Sequence, residues 1–95
     1  MKIEILAEAN DDLIVGYRFY EKQSPGLGSY FLDTLFSDID SLLLYAGIHR
    51  VVFGSYRSLS KRFPFAIYYR IEGETIRIRA ILDCRSNPAS VRARL

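Results

Sequence analysis

The sequence predicts an α+β fold. An N-terminal strand comes first, then a hairpin of two antiparallel helices, a three-stranded antiparallel meander packed on the helices and a short C-terminal helical tail. Two observations predict this order: apolar residues recur with the period of a helix as far as Gly47, and they alternate as in strands afterwards. With 95 residues, 49% of them hydrophobic, the chain is expected to form one compact domain over residues 1–95.

The composition indicates a soluble, cytoplasmic protein. No apolar run approaches the roughly 18 residues that would cross a bilayer, and the acidic start MKIEILAEANDD lacks the features of a secretory signal. The single cysteine, Cys84, cannot form an internal disulfide, which favours a reducing compartment. One cysteine and one histidine are too few for a usual zinc site and no nucleotide-binding loop occurs, so neither a metal nor a cofactor is expected.

The first half of the chain reads as a strand and two helices. KIEIL alternates apolar and charged residues as a strand does. A helix should open near Glu8 or Asn10, with Asp11 and Asp12 where a helix N-terminus favours negative charge, and its apolar positions are Leu13, Tyr17 and Tyr20. QSPGLG ends this helix. A second one then runs to Gly47, with an apolar face of Phe31, Leu35, Ile39, Leu42, Leu43 and Ala46.

The second half reads as strands and a short tail. HRVVFGSYRSL predicts one strand with a bulge or kink at Gly54-Ser55. A strand over residues 65–71 follows Pro64, and a two-residue loop, either Glu72-Gly73 or Gly73-Glu74, leads into a returning strand over residues 75–82. Asn87 before Pro88 is typical of a helix start, so the basic tail should form one or two helical turns.

The two-residue loop fixes which side chains share a face of the hairpin. The core face should carry Phe65, Ile67, Tyr69, Ile71, Ile76, Ile78, Ala80 and Leu82. The opposite face should carry Ala66, Tyr68, Arg70, Arg77, Arg79 and Ile81. Because no acidic residue belongs to this second set, its arginines are expected to lack local partners, and like charges across strands repel. A binding role for this face is therefore favoured over simple solvation.

The distribution of charge favours an acidic partner. Residues 1–48 carry three basic and eight acidic side chains, a balance of −5, whereas residues 49–95 carry ten basic and three acidic ones, a balance of +7. This polarity favours nucleic acid, an acidic protein segment or the first half of the chain itself as the partner of the second half.

The order of elements and five short segments resemble the RelE/ParE superfamily, the toxin halves of bacterial type II toxin-antitoxin modules. The segments are EANDDL, FYEKQSPGLGSYF, YRSL at positions 56–59, RFPFAIYYRI, and RAILDCR with Pro88 after it. The resemblance spans essentially the whole chain. It implies a toxin that a cognate antitoxin neutralises by wrapping it with an acidic or amphipathic segment that folds on binding, in a hetero-oligomer. The candidate partner-binding residues are Arg57, Tyr68, Arg70, Arg77, Arg79 and Arg85.

Two activities occur on the fold that the resemblance implies. ParE-like members inhibit DNA gyrase by binding, and RelE-like members cleave ribosome-bound mRNA with basic groups and an acid-base set on the sheet. A nuclease would use Arg57, Tyr68 and Arg85, but no Tyr, His or Lys follows Arg85 and the lone histidine, His49, is more typical of a cap or surface residue. The sequence therefore favours a gyrase inhibitor. An mRNA endonuclease is the alternative, and a non-toxic binding module of the same fold is a third possibility.

Overall fold

The chain forms one five-stranded sheet with helices on both of its faces. A computed structural model describes residues 1–95. Its elements are β1 (Lys2–Ile5), α1 (Ala7–Gln23), α2 (Leu27–Asp40), α3 (Leu42–Tyr45), β2 (Arg50–Val52), β3 (Ser55–Leu59), β4 (Phe65–Glu72), β5 (Thr75–Asp83) and α4 (Pro88–Arg94). The predicted α+β class, with its strand, helical hairpin, antiparallel meander and C-terminal helix, is confirmed. None of the helices combines the length and the hydrophobicity that crossing a membrane requires.

The strand order in the sheet is β1-β5-β4-β3-β2. Strands β2 to β5 form an antiparallel meander, while β1 lies parallel to β5 at the other edge, with Ile3 opposite Ile76. The meander has one strand more than the sequence predicts. The two arms of HRVVFGSYRSL pair with each other, so the expected single kinked strand is wrong and a hairpin, β2–β3, takes its place.

The turn of the β2–β3 hairpin explains this difference. Both of its central residues lie in the left-handed region, Phe53 at φ 50° and Gly54 at φ 81°, which is the geometry of the tight turns that suit a twisted hairpin. Glycine adopts this conformation freely, but phenylalanine rarely does. The sequence therefore predicts a kink and not a hairpin turn, since the usual Asn-Gly or Gly-Gly pair is absent.

Helix α1 begins at Ala7, one residue before Glu8, the earlier of the two predicted starts, because the sheet holds the chain up to Leu6. Leu6 donates its amide hydrogen to the Ile78 carbonyl at 3.0 Å, and the helix follows at once, with no side chain capping it. Asp12 therefore lies in the second turn of α1, where its carboxylate binds groups outside this helix. The buried positions of α1 are Ala9, Leu13, Gly16 and Tyr20, whereas Tyr17 is only half-buried.

Two glycines allow α1 and α2 to pack closely as an antiparallel hairpin. A Cβ atom at Gly16 would lie 2.5 Å from the Phe31 ring, and one at Gly28 would lie 2.7 Å from the Tyr17 carbonyl oxygen. Glu21 caps the start of α2, since its carboxylate accepts hydrogen bonds from the amides of Gly26 at 3.1 Å and Gly28 at 2.9 Å. Close packing of the two helices and the hydrogen bonds from Glu21 thus both fix the short QSPGLG connection.

The main core lies between the helical hairpin and one face of the sheet. It contains 13 buried residues: Ala9, Leu13, Tyr20, Phe31, Leu35, Ile39, Leu42, Phe65, Ile67, Tyr69, Ile76, Ile78 and Ile81. Of the apolar residues predicted for the second helix, Leu43 is instead exposed. It lies in α3, beyond the break that follows Asp40, so it no longer faces the sheet.

A β-bulge exchanges the faces of the last part of β5. Tyr69 pairs with Ile78, but the preceding Tyr68 pairs with Ala80, which leaves Arg79 as the extra residue. The predicted faces are consequently wrong beyond the bulge: Ile81 joins the main core, while Ala80 and Leu82 lie on the opposite face. A register deduced from the loop holds only as far as the first bulge.

Helix α4 covers part of this opposite face. Its Val91 packs on Ala66, Tyr68 and Ala80 in a second, smaller core. The predicted N-terminal signal is confirmed, because the Asn87 side chain accepts a hydrogen bond from the Ala89 amide at 2.7 Å and Pro88 follows it.

The carboxylate of Asp12 joins three elements at one point. It accepts two hydrogen bonds from the Arg94 guanidinium, at 2.9 and 2.8 Å, and one from the Ile81 amide at 3.0 Å. Its hydrogen bonds with Arg94 raise the pKa of that guanidinium. Asp12 therefore ties α1 and β5 to α4, and keeps α4 on the sheet.

We predict that Asp12→Ala lowers the free energy of unfolding by about 2 kcal/mol, because it leaves a partly buried guanidinium and a strand amide without their acceptor. Urea denaturation measures the effect. Asp11→Ala is the matched control, since Asp11 is an exposed neighbour and its removal should change stability by less than about 0.5 kcal/mol. Equal effects of the two substitutions would contradict the role of Asp12.

The buried hydroxyl of Tyr69 generates a second prediction. This hydroxyl accepts a hydrogen bond from the Gly47 amide at 2.9 Å and lies 2.5 Å from His49 Nδ1, to which it can donate its own proton. Burial raises the pKa of Tyr69, and of Tyr20 as well. In the unfolded chain both groups ionise near pH 10, so their contribution is present below that pH and is lost as the pH rises further.

Stability should therefore fall as the pH rises above about 10, as urea midpoints recorded between neutral and alkaline pH would reveal. Tyr69→Phe should be less stable by about 1 kcal/mol at neutral pH, because the Gly47 amide loses its acceptor, and should show a smaller alkaline loss. A variant with the same alkaline loss as the parent chain would argue against Tyr69 as its source.

Candidate functional site

The face of the sheet turned away from α1 and α2, here called the open face, carries most of the predicted site residues. Tyr68 and Arg70 lie on β4, and Arg77 and Arg79 lie on β5. Arg57 lies on β3 opposite Tyr68. The structure thus brings five of the six predicted residues onto one surface, although not into one cavity.

Arg57 and Tyr68 form a cross-strand pair in a cavity beside α4. Arg57 donates from Nε to the Tyr68 hydroxyl at 3.2 Å, and the Tyr68 ring is buried beneath Val91. The cavity has a volume of about 280 Å³ and is also lined by Arg50 and Asp83. Arg57 makes no ion pair, so its charge and the neighbouring Arg50 make this cavity attractive to anions.

Arg70 and Arg79 bind no side-chain carboxylate. Arg70 donates to the Gly54 carbonyl at 3.3 Å, while Arg79 donates to the Ser55 hydroxyl at 3.4 Å and to the main-chain oxygen of Leu95 at 3.3 Å. These long hydrogen bonds position the two guanidinium groups. Both line a second cavity of about 370 Å³ at the other side of the open face.

Arg77 has acidic partners, which corrects the expectation that the arginines of this face lack them. Its guanidinium is 2.5 Å from Glu4 and 2.5 Å from Glu72. Glu4 comes from β1, which lies parallel to β5 and places Glu4 directly opposite Arg77. The sequence did not predict that β1 and β5 are neighbours, so it could not reveal this pair.

Arg85 lies just beyond β5 and is bound by Asp83. Two hydrogen bonds join their side chains, from Nε at 2.9 Å and from Nη2 at 2.6 Å. They lower the pKa of Asp83 and raise that of Arg85. The Arg85 side chain is 67% exposed, and Arg85 does not line the cavity that contains Arg57 and Tyr68. The three residues proposed for a nuclease are therefore not assembled in one cavity.

Three further residues of this region were not among the predicted site residues. The Arg92 guanidinium lies over the Phe53 ring, 5.0 Å from its centroid, and Arg50 lines the same cavity as Phe53. Arg94, the other arginine of the basic tail, is engaged by Asp12. No sequence pattern singles out Phe53, because the sequence does not predict the β2–β3 turn.

The chemistry of the open face is that of anion binding. Guanidinium groups donate hydrogen bonds to carboxylates and phosphates but accept no proton at neutral pH. The lone histidine lies elsewhere, bonded to Tyr69 on the main-core side of the sheet. Tyr68 supplies a hydroxyl, and the exposed thiol of Cys84 borders the cavity.

Comparison with solved structures gives a match over most of the chain. No known family model and no curated protein matches the sequence. Among solved structures, a chain described as "Chromosomal ParDE TA system from P. aeruginosa" superposes with a TM-score of 0.77 at 22% sequence identity, over 85% of this chain and 92% of that one. At this identity the likeness concerns the fold. The chain therefore shares the fold of that ParDE chain, which agrees with the ParE-like fold that its sequence predicts.

Proposed function

We propose that this chain is the toxin component of a type II toxin-antitoxin module and that it inhibits DNA gyrase by binding to it. The observation that carries the proposal is the fold shared with a chain of a ParDE toxin-antitoxin system. The target follows from the ParE-like resemblance of the sequence, in segments such as RFPFAIYYRI. A cytoplasmic location belongs to the same proposal, since gyrase acts on the bacterial chromosome.

The composition of the open face supports binding as the mode of action. Its ionisable groups are mainly guanidiniums, and Arg57, Arg70 and Arg79 have no side-chain carboxylate partner. Hydrolysis of RNA would need a proton acceptor for the attacking hydroxyl and a donor for the leaving oxygen. The only histidine already faces Tyr69, on the opposite side of the sheet.

The cognate antitoxin is the second proposed partner. An acidic or amphipathic segment would complement the open face, in a toxin-antitoxin hetero-oligomer. Arg57, Arg70 and Arg79 offer guanidiniums that no side-chain carboxylate binds, and Tyr68, whose ring is buried beneath Val91, positions Arg57 through its hydroxyl. The remaining candidates, Arg77 and Arg85, should contribute less affinity because carboxylates of this chain already bind them.

One observation favours an mRNA endonuclease as the second candidate function. Arg50, Arg57 and Tyr68 line a common cavity, in which two guanidiniums could hold a phosphate and a hydroxyl could donate a proton. Arg85 would have to leave Asp83 to join them.

The first test expresses the chain alone and follows the incorporation of labelled thymidine and labelled methionine in the minutes after induction. We expect an early loss of DNA synthesis while translation continues, because a gyrase inhibitor blocks replication first. Early loss of translation would instead support the endonuclease. If neither changes, the proposed toxin function is contradicted and a non-toxic binding module remains.

The open face itself is tested by Arg57→Gln. This substitution keeps a hydrogen-bond donor for Tyr68 but removes the charge. The dose of inducer needed to inhibit growth should therefore rise by about tenfold or more. Arg18→Gln removes one positive charge from the exposed surface of α1 and serves as the control, with unchanged inhibition expected. Full toxicity of a folded Arg57→Gln chain would count against the open face.

A further inference from the structure

A polar cavity lies on the helix side of the sheet, away from the open face. It has a volume of about 280 Å³ and lies between the C-terminal end of α2 and strand β3, so we call it the α2–β3 cavity. Charged, polar and apolar side chains from four separate segments meet there. Those that matter below are Asp38, Tyr45, Ile48, His49, Ser58 and Lys61.

The carboxylate of Asp38 lines this cavity although the residue is only 5% exposed. Its Oδ2 atom accepts hydrogen bonds from the Ser60 hydroxyl at 2.6 Å and from the Lys61 amide at 3.4 Å. Its Oδ1 atom accepts none, and none of the five ion pairs of the molecule includes Asp38. The neighbouring Arg62 donates instead to the Tyr30 hydroxyl at 2.7 Å. Because a buried carboxylate without a cation is costly, Asp38 favours a cationic group as its partner.

An ammonium group lines the same cavity without neutralising Asp38. Lys61 is exposed, and its side chain takes part in no ion pair, with Asp38 or with any other carboxylate. Two opposite charges thus share one small cavity but do not bind each other. A ligand that carries both charges satisfies both groups, since its own ammonium binds the carboxylate and its own carboxylate binds the ammonium.

His49 and Ser58 add hydrogen-bonding groups to the cavity. The Tyr69 hydroxyl accepts from the Gly47 amide and donates to Nδ1 of His49, so the hydrogen of this imidazole lies on Nε2. Neither that Nε2–H group nor the hydroxyl of Ser58 binds another group of the chain, although Ser58 is only 7% exposed. A buried polar group without a partner requires an explanation, and a ligand in the cavity provides one.

We propose that the α2–β3 cavity binds a free α-amino acid with an apolar side chain. The ligand's ammonium binds Oδ1 of Asp38, and its carboxylate binds Lys61 and the Nε2–H group of His49. Its side chain packs on Tyr45 and Ile48, two exposed apolar residues at the cavity wall. The cavity is slightly smaller than the roughly 300–1,000 Å³ that drug-sized ligands occupy, which suits an amino acid better than a nucleotide. This inference goes beyond the proposed function and does not rest on it.

Titration calorimetry of the purified chain with three related compounds tests the proposal. Leucine carries both charges, leucinamide lacks the carboxylate, and N-acetyl-leucine lacks the ammonium. We expect leucine to bind saturably at one site per chain. Leucinamide and N-acetyl-leucine should each bind at least about tenfold more weakly, because each leaves one charged group of the cavity without its partner.

Lys61→Gln is the most informative variant, because this exposed side chain can change without disturbing the fold. It should weaken leucine by about tenfold but leave the affinity for leucinamide unchanged. Lys22→Gln is the matched control, since it removes an exposed positive charge of α1 that lines no cavity, and it should bind leucine as the parent chain does. Asp38→Asn keeps an acceptor for Ser60 and should lose the preference for leucine over N-acetyl-leucine, with its melting temperature showing that it is folded.

Three results would overturn the amino-acid site. The first is that leucine, methionine and phenylalanine all fail to bind at concentrations up to about 10 mM. The second is that leucinamide or N-acetyl-leucine binds as tightly as leucine, and the third is that Lys61→Gln binds leucine as tightly as the parent chain does. None of these results bears on the toxin proposal, because the cavity lies outside the open face and growth inhibition is measured separately.

Discussion

The carboxylate of Asp12 is the contact on which the arrangement of the open face depends. It accepts hydrogen bonds from the Ile81 amide and from Arg94, and so joins the helical hairpin, the last strand and α4. Because α4 is held in this way, Val91 covers Tyr68 and Arg92 reaches Phe53. A structural contact between α1 and the C-terminal helix thereby shapes a surface on the other side of the sheet, since Pro88 and Val91 of α4 line the cavity that contains Arg57 and Tyr68.

The β-bulge at Arg79 also shapes the open face, because it changes which side chains of β5 point to that face. On the loop side of the bulge, the strand presents arginine to the open face, and beyond it the strand presents Ala80 and Leu82, which pack in the small core beneath α4. The same sheet face is therefore charged at one end and apolar at the other. The apolar end packs against α4, and the charged end is left uncovered by it. One extra residue, Arg79, therefore separates the part of β5 that supports α4 from the part that presents arginines.

The sequence predicted the fold well wherever short-range patterns decide it. Gly47 separates helical from alternating periodicity, Pro64 precedes a strand, and Asn87 caps α4, as the structure confirms. What it could not predict are arrangements set by distant contacts. The pairing of Glu4 with Arg77 requires β1 and β5 to be neighbours, and the exchange of faces after Tyr68 requires a bulge that no turn residue announces. The predicted arginine face was thus located correctly, while the charge balance of its members was not.

Binding of DNA gyrase by this ParE-like fold, as we propose it, is tested most directly with purified components. The measurement is the supercoiling of relaxed plasmid by purified DNA gyrase in the presence of increasing amounts of the purified chain, with ribosome-bound mRNA supplied in a parallel reaction. We expect supercoiling to be inhibited in proportion to the chain added, while the mRNA stays intact. Normal supercoiling together with cleavage of the mRNA would contradict the proposal.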